Sequence, residues 1–371
     1  MAEKTTQNPQ GWWPQMKRLL LSFSVPLGAV LLALIIGAII IEVSGASAWK
    51  AYTALAKGAF GNAAGWQRTL EKSTPLIFSG LAVAFAFKAG LFNIGAQGQL
   101  LFGAITAAWV GFAVHGLPPG LHAAVALAAG AVAGGLYGAI PGALKTYTGA
   151  HEVITTIMLN YIAMGFTDYL ANGPLKDTTP GNIVARTPAI LDSAKLPTWG
   201  WLPFGFVLAL IGAAFAWWLL QRTTLGFEIR TVGQNPHAAR YAGMKVARTV
   251  ILTMVISALF AGIGGAVETQ GVVGRYEPGF NANLGFDGIT VALLGKTNPF
   301  GVIPAAMLLG AMRAGSNVMQ FKAHVAQEIT DVVQALMLFF VAADMIVRWL
   351  LRIRAAEEGE KITLSTGWGS H

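Results

Sequence analysis

AGLFNIGAQGQLLFGAITAAWVGFAVHGLPPGLHAAVALAAGAVAGGLYGAIPGAL, residues Ala89–Leu144, contains no Asp, Glu, Lys or Arg. A bilayer-spanning helix needs roughly 20 mainly apolar residues. This run therefore has room for two crossings, with a turn at Gly116–Gly120 (GLPPG). Leu19–Ile41 and Thr249–Val267 are further charge-free runs. Hydrophobic residues fill 54% of the 371 positions and charged residues only 11%, against about a quarter charged in a soluble chain. The fold class that follows is all-α: a polytopic transmembrane helical bundle whose solvent is membrane lipid.

Ten segments read as crossings: Leu19–Ile41, Thr74–Phe87, Ala89–Phe112, Leu121–Leu144, Val153–Leu170, Leu202–Leu220, Thr249–Val267, Leu284–Gly295, Phe300–Ala314 and Ile329–Leu351. Thr74–Phe87 and Leu284–Gly295 are shorter than a full span. Residues 42–72 read as a mixed loop or interfacial segment, and Ala171–Trp201 as a polar connection. The division expected is a cytosolic tail at 1–18, a membrane domain at 19–351 and a second cytosolic tail at 352–371. The first apolar run is too long for the core of a cleavable signal.

The formal net charge is +8, yet nucleic acid is not the expected partner. The basic residues cluster at the ends of apolar segments, as in Lys17-Arg18 and Arg348–Arg354, which is how membrane proteins orient themselves. Loop 221–248 holds Arg222, Arg230, Arg240, Lys245 and Arg248 against the single acid Glu228. The positive-inside rule makes it cytoplasmic, and counting crossings puts both termini on the same side. Lys50, Lys57, Arg68 and Lys72, in a segment then placed outside, run against this orientation. The absence of Cys excludes disulfides, thiolate metal sites and a Cys nucleophile. No metal site is expected where His115 and His122 flank GLPPG, because neither a carboxylate nor a third ligand is near.

FSGLAVAFAFK (Phe78–Lys88) aligns without a gap to FDGITVALLGK (Phe286–Lys296), with identities at Phe78/Phe286, Gly80/Gly288, Val83/Val291, Ala84/Ala292 and Lys88/Lys296. Paired short, glycine-interrupted segments suggest a transporter built from an internal repeat, its broken segments lining the pathway. In GQNPHAARYAG (Gly233–Gly243), Asn235 suits an N-cap and Pro236 the first helical position. Gly243 can adopt the left-handed conformation that ends a helix. A two-turn helix pinned at both ends in the cytosol is a docking element. Ala239 shares a face with Pro236 and Gly243, so that small-residue face is expected to meet the partner, with Arg240 beside it.

GFEIRTVGQNPHAARYAGM (Gly226–Met244) resembles the cytoplasmic coupling helix of permease subunits of ATP-binding cassette importers, in the branch of ribose and branched-chain amino acid permeases. FKAGLFNIGAQGQLLFGA (Phe87–Ala104) resembles that branch's signature, with Gln97 where Glu is more usual. HEVITTIMLNYIA (His151–Ala163), NGPLKD (Asn172–Asp177) and GFDGITVALLGKTNPFG (Gly285–Gly301) narrow the resemblance to nucleoside-type permeases. The resemblance implies a bacterial plasma-membrane location, two separate ATPase subunits, a second permease subunit (homologous or identical), an extracytoplasmic substrate-binding protein and a nucleoside as small-molecule substrate. It places ATPase coupling at Gly233, Asn235, Pro236, Ala239, Arg240 and Gly243. The chain itself carries no GxxxxGK[ST] phosphate loop, so it is not expected to be an enzyme or to hold a cofactor.

Asn93, Gln97, Gln99, Asn160 and Glu268 are the candidates for the translocation pathway, since polar groups at membrane depth face the bundle interior or a water-filled route. Interhelical hydrogen bonding is the competing account of each. A permease for simple sugars or another small solute is the alternative function. A secondary transporter fits less well, because Glu268, Asp287 and Asp331 are scattered near segment ends. The orientation predicts that a cysteine at His237, unique in this chain, stays unlabelled by an impermeant thiol reagent outside intact cells, whereas one at Thr187 is labelled. Labelling of His237→Cys from outside would reverse the topology.

Overall fold

The computed structural model describes residues 12–279 and 283–343. Its first helices are α1 (Trp12–Val43), α2 (Ala48–Phe60), α3 (Ala63–Phe87), α4 (Ala96–Ala113), α5 (Leu121–Thr148) and α6 (Glu152–Asn172). They are followed by α7 (Phe204–Arg222), α8 (Thr224–Gln234), α9 (Pro236–Tyr241), α10 (Val246–Glu268, prolonged by a π-helical turn Thr269–Val273), α11 (Leu284–Leu294), α12 (Pro299–Ala323) and α13 (Glu328–Ala342). The described strands are the two-residue pair β1 (Thr198–Trp199) and β2 (Leu202–Pro203). Among the described residues, seven helices are long and apolar enough to cross a membrane: α1, α3, α5, α6, α7, α10 and α12. All ten segments read as crossings overlap a helix. Arg348, Arg352, Arg354, the tail 352–371 and residues 1–11 lie outside the described residues.

Two expectations are corrected at the N-terminal side. Residues 42–72 are largely helical: Ser47 caps α2, and Asn62 caps α3 by accepting a hydrogen bond from the Gly65 N–H at 2.7 Å. Phe78–Lys88 is accordingly no short segment but the second half of a 25-residue helix. Arg68, Glu71 and Lys72 interrupt the apolar run and hid its first half. Lys72 Nζ lies 3.6 Å from Glu268 Oε1 on α10, so this cation is answered by a carboxylate within the bundle instead of standing in a loop. α11, at 11 residues, is short as expected.

Helices α4, α5 and α10 approach through glycine. A Cβ on Gly134 would fall 2.7 Å from Gly262 Cα, one on Gly103 would fall 2.2 Å from the Gly262 carbonyl oxygen, and one on Gly265 would fall 2.0 Å from the Leu100 carbonyl oxygen. Lipid tails are as apolar as leucine, so helices in a bilayer associate by close packing of this kind. The two segments of the suspected repeat also meet each other. Gly80 faces Val291 and Gly288 faces the Ser79 backbone, so both glycines are spent on packing α3 against α11 and not on lining an open route. The helix ends are out of step: Gly90 (φ 69°) ends α3, whereas Lys296 (φ 53°), the residue aligned with Lys88, ends α11.

The connection 173–203 lies over the ends of α4 and α10. The Leu191 N–H donates to Gly111, Ile190 to Gly274 and Leu196 to Gln270. Asp177 organises its first turn, accepting from the Thr179 hydroxyl at 2.5 Å and the Thr179 N–H at 3.1 Å, with Arg186 at 3.4 Å. These donors, the Thr179 hydroxyl foremost, hold its carboxyl below the usual carboxylate range. Thr187 is fully buried beneath Tyr276, so it is unsuited to labelling, whereas Ile183 on the same connection is 92% exposed. At the α3–α11 crossing, a Cβ on Gly288 would sit 2.7 Å from the Ser79 carbonyl carbon. Overpacking of this kind costs about 1–3 kcal/mol, so Gly288→Ala should lower the melting temperature of the detergent-solubilised protein. Gly165→Ala, with open space at its Cβ, should not, and equal melting of the two variants would refute the crossing.

Candidate functional site

The turn after α3 enters the protein interior as irregular chain. Gly90 supplies the left-handed residue; its N–H donates to Phe87 and the Leu91 N–H to Ala86, closing the helix. Leu91 and Asn93 are then fully buried. Buried non-helical backbone needs partners for its polar groups, and here side chains supply several of them. Asn93 Nδ2 donates to Gln99 Oε1 at 2.9 Å and to Ser257 Oγ at 2.8 Å, while its Oδ1 accepts from the Gly95 N–H at 3.0 Å and from Gln99 Nε2 at 3.1 Å. Ser257 in turn donates to the Ala82 carbonyl at 2.6 Å. Asn160 of α6 accepts from the Gly98 N–H at 2.8 Å and donates to the Ile94 carbonyl at 2.9 Å. Gln97 accepts from the Gly285 N–H at the start of α11, at 2.7 Å.

Four of the five pathway candidates, Asn93, Gln97, Gln99 and Asn160, therefore meet in one buried network joining α3, α4, α6, α10 and α11. Their polar atoms face one another and the backbone, at 0–1% exposure, so interhelical hydrogen bonding accounts for them. Glu268 stands apart at the other end of α10, beside Lys72. Sequence reading missed Ser257, an ordinary residue of an apolar helix. Its signal appears only when α3 and α10 are brought together.

Among the coupling candidates, Asn235 and Pro236 sit as expected. Asn235 Oδ1 accepts the Ala238 N–H at 3.0 Å, and Pro236 is the first residue of α9. Gly243 (φ 81°) ends the helix, with its own N–H donating to Arg240 and the Met244 N–H donating to Ala239. Ala239 is corrected: it is fully buried, because this closure folds Met244 back toward α9 and turns the Ala239 side inward. The outward residues are His237, Ala238, Arg240 and Tyr241, the last 95% exposed. Gly233 also points inward, where a Cβ would fall 2.2 Å from the Lys88 carbonyl oxygen. Gly233 and Gly90 thus seat the α8–α9 module against the turn that begins the buried network.

The family described as branched-chain amino acid transport system / permease component matches residues 66–342. The chain belongs to this family. The match runs from α3 to α13 and so contains both the buried network and α9. The permease is 43% identical to the guanosine ABC transporter permease protein NupP of Bacillus subtilis, over 88% of this chain and 95% of that one. It is 36% identical to the nucleoside ABC transporter permease protein NupB of Lactococcus lactis, over 91% and 96%. It is 30% identical to the glucose ABC transporter permease protein TsgB13 of Haloferax volcanii, over 91% and 92%. The same two bacteria hold a second matching permease protein each, NupQ and NupC, at 27% and 25% identity. No solved structure matches.

As a membrane translocation component, the permease needs this network for its shape, and Asn93 is its hub. Asn93→Leu would strand Gln99 and the Gly95 N–H and remove one of the two partners of Ser257, and each buried group left unpaired costs about 1–3 kcal/mol. The variant should melt well below the wild type, and below Ser257→Ala, when purified in detergent. Equal melting of Asn93→Leu and wild type would show that the network carries no stability.

Proposed function

We propose that this permease forms the translocation pathway of an ATP-binding cassette importer for nucleosides in a bacterial plasma membrane. The observation that carries this reading is identity of 43% and 36%, over nearly the full length of both chains, with permeases named for guanosine and for nucleosides. The more distant glucose permease favours a second reading, transport of a simple sugar. The two substrates share a hydroxylated ring.

In this reading the bundle crosses the membrane about ten times, through the seven long helices together with α4, α11 and α13, and both termini are cytoplasmic. A second permease completes the pathway, as suggested by the pairing of NupP with NupQ and NupB with NupC. ATP is hydrolysed by separate ATPase subunits, and a binding protein delivers substrate from outside. The outward face of α9, built from His237, Ala238, Arg240 and Tyr241, seats in a cleft of the ATPase. Asn235, Pro236 and Gly243 fix the shape of α9, while Ala239 and Gly233 anchor it to the permease. Closure of the ATPase then pushes on α9, and rigid contact at Gly233 passes the push to the turn after α3.

Tyr241→Asp tests the docking face. An unpaired charge in a desolvated contact costs several kcal/mol, and Tyr241 makes no demand on the fold because it is exposed. Purified with its partners and reconstituted in proteoliposomes, the variant should lose most nucleoside uptake, along with stimulation of ATP hydrolysis by loaded binding protein. Ala239→Glu should instead unfold the module. Undiminished uptake by Tyr241→Asp in a fully assembled complex would exclude this face as the coupling surface.

A further inference from the structure

Helix α6 is the least buried of the seven long apolar helices: 22% of its apolar stretch is buried, against 39–83% in the others. Its free side is not uniformly lipid-like. At 100° per residue, Tyr161, Gly165, Asp168 and Tyr169 project over one face. Tyr161 and Tyr169 are each 64% exposed. They stand about 12 Å apart along the axis, and Gly165 between them has nothing within 4 Å of its Cβ position. Asp168 flanks that gap, half-buried, and makes no ion pair among the described residues. The Tyr161 hydroxyl, near the middle of the helix, has no hydrogen-bond partner among the described residues either. A carboxylate and a phenol are poor neighbours for acyl chains, and ionisable groups within spans almost always face the bundle interior or a water-filled cavity.

We infer that the Tyr161–Tyr169 face of α6 is a substrate-contact surface of the translocation route, on which a nucleoside stacks its base against tyrosine and donates ribose hydroxyls to Asp168. This rests on the nucleoside reading above. Gly165, without a side chain and with open space above it, leaves the flanks of both tyrosines uncovered. The charge selects as well: a carboxylate accepts hydrogen bonds from neutral sugar hydroxyls and repels phosphate, so the face admits nucleosides and disfavours nucleotides. No positive side chain stands on this face to reverse that preference.

Because the chain has no Cys, Gly165→Cys places one thiol at the gap. In the assembled complex with ATPase, second permease and binding protein in proteoliposomes, a water-soluble charged thiol reagent should modify it and lower guanosine uptake. Saturating guanosine should slow the modification. Leu31→Cys on the apolar free side of α1, 51% exposed, should remain unmodified. Asp168→Asn, in complexes that still co-purify with the ATPase, should raise the KM for guanosine about tenfold, the scale of one hydrogen bond to a charged group, and should weaken exclusion of guanosine monophosphate. Failure of the reagent to reach Gly165→Cys, under conditions where Ile183→Cys reacts fully, would overturn the inference by leaving α6 to lipid or protein. So would an unchanged KM in Asp168→Asn. Modification that glucose slows and guanosine does not would keep the aqueous face and overturn the nucleoside assignment.

Discussion

Irregular backbone inside a packed helical bundle needs partners for its buried polar groups, and Lys88–Gly95 is such a segment, largely buried between α3 and α4. The solution is local and economical. One asparagine, Asn93, answers the chain that follows it and the glutamine a turn into α4, while Ser257 binds it to α10. Asn160 and Gln97 extend the same logic to α6 and to the first turn of α11. Each bond is worth only about 0.6 kcal/mol on average in membrane proteins. Their joint effect is positional, because five helices share one set of donors and acceptors and none can shift without stranding a buried group.

The glycine contacts work with this network. Close approach of α4, α5 and α10 at Gly103, Gly134, Gly262 and Gly265 brings backbones near enough for short side chains such as Asn and Ser to reach across. On the other side of the same turn, Gly90 and Gly233 lock in the α8–α9 module. Helix α9 is therefore joined to the buried network through two residues without side chains, a contact with no rotamer to absorb motion. In the proposed importer, a push on α9 would be delivered to backbone, the property a coupling element requires.

Much of this was legible in the chain. Charge-free runs such as Ala89–Leu144 located the helices, and Asn235, Pro236 and Gly243 located both ends of α9, because caps obey local rules. What escaped depended on tertiary context. The first half of α3 is interrupted in sequence by charges, one of which, Lys72, meets Glu268 of a distant helix. The face of α9 was misjudged at Ala239 because a six-residue helix has no periodicity to read, and its orientation is set by the return of Met244. Asn93 and its neighbours were recognised as polar residues in apolar surroundings, but whether such groups face a route or each other is decided by packing and not by spacing. The likeness of Phe78–Lys88 to Phe286–Lys296 was visible in sequence, while the direct contact between those segments was not.

The central claim is that the buried turn and its side-chain partners form a rigid joint between the α8–α9 module and the bundle. Amide hydrogen exchange of the assembled complex, followed by mass spectrometry on peptides covering Leu91–Gln99, measures this most directly. The account predicts exchange as slow as in the interiors of α3 and α10, both with and without ATP, because the Gly95 and Gly98 N–H groups are held by Asn93 and Asn160. Exchange of this segment within seconds, while the flanking helices stay protected, would contradict it.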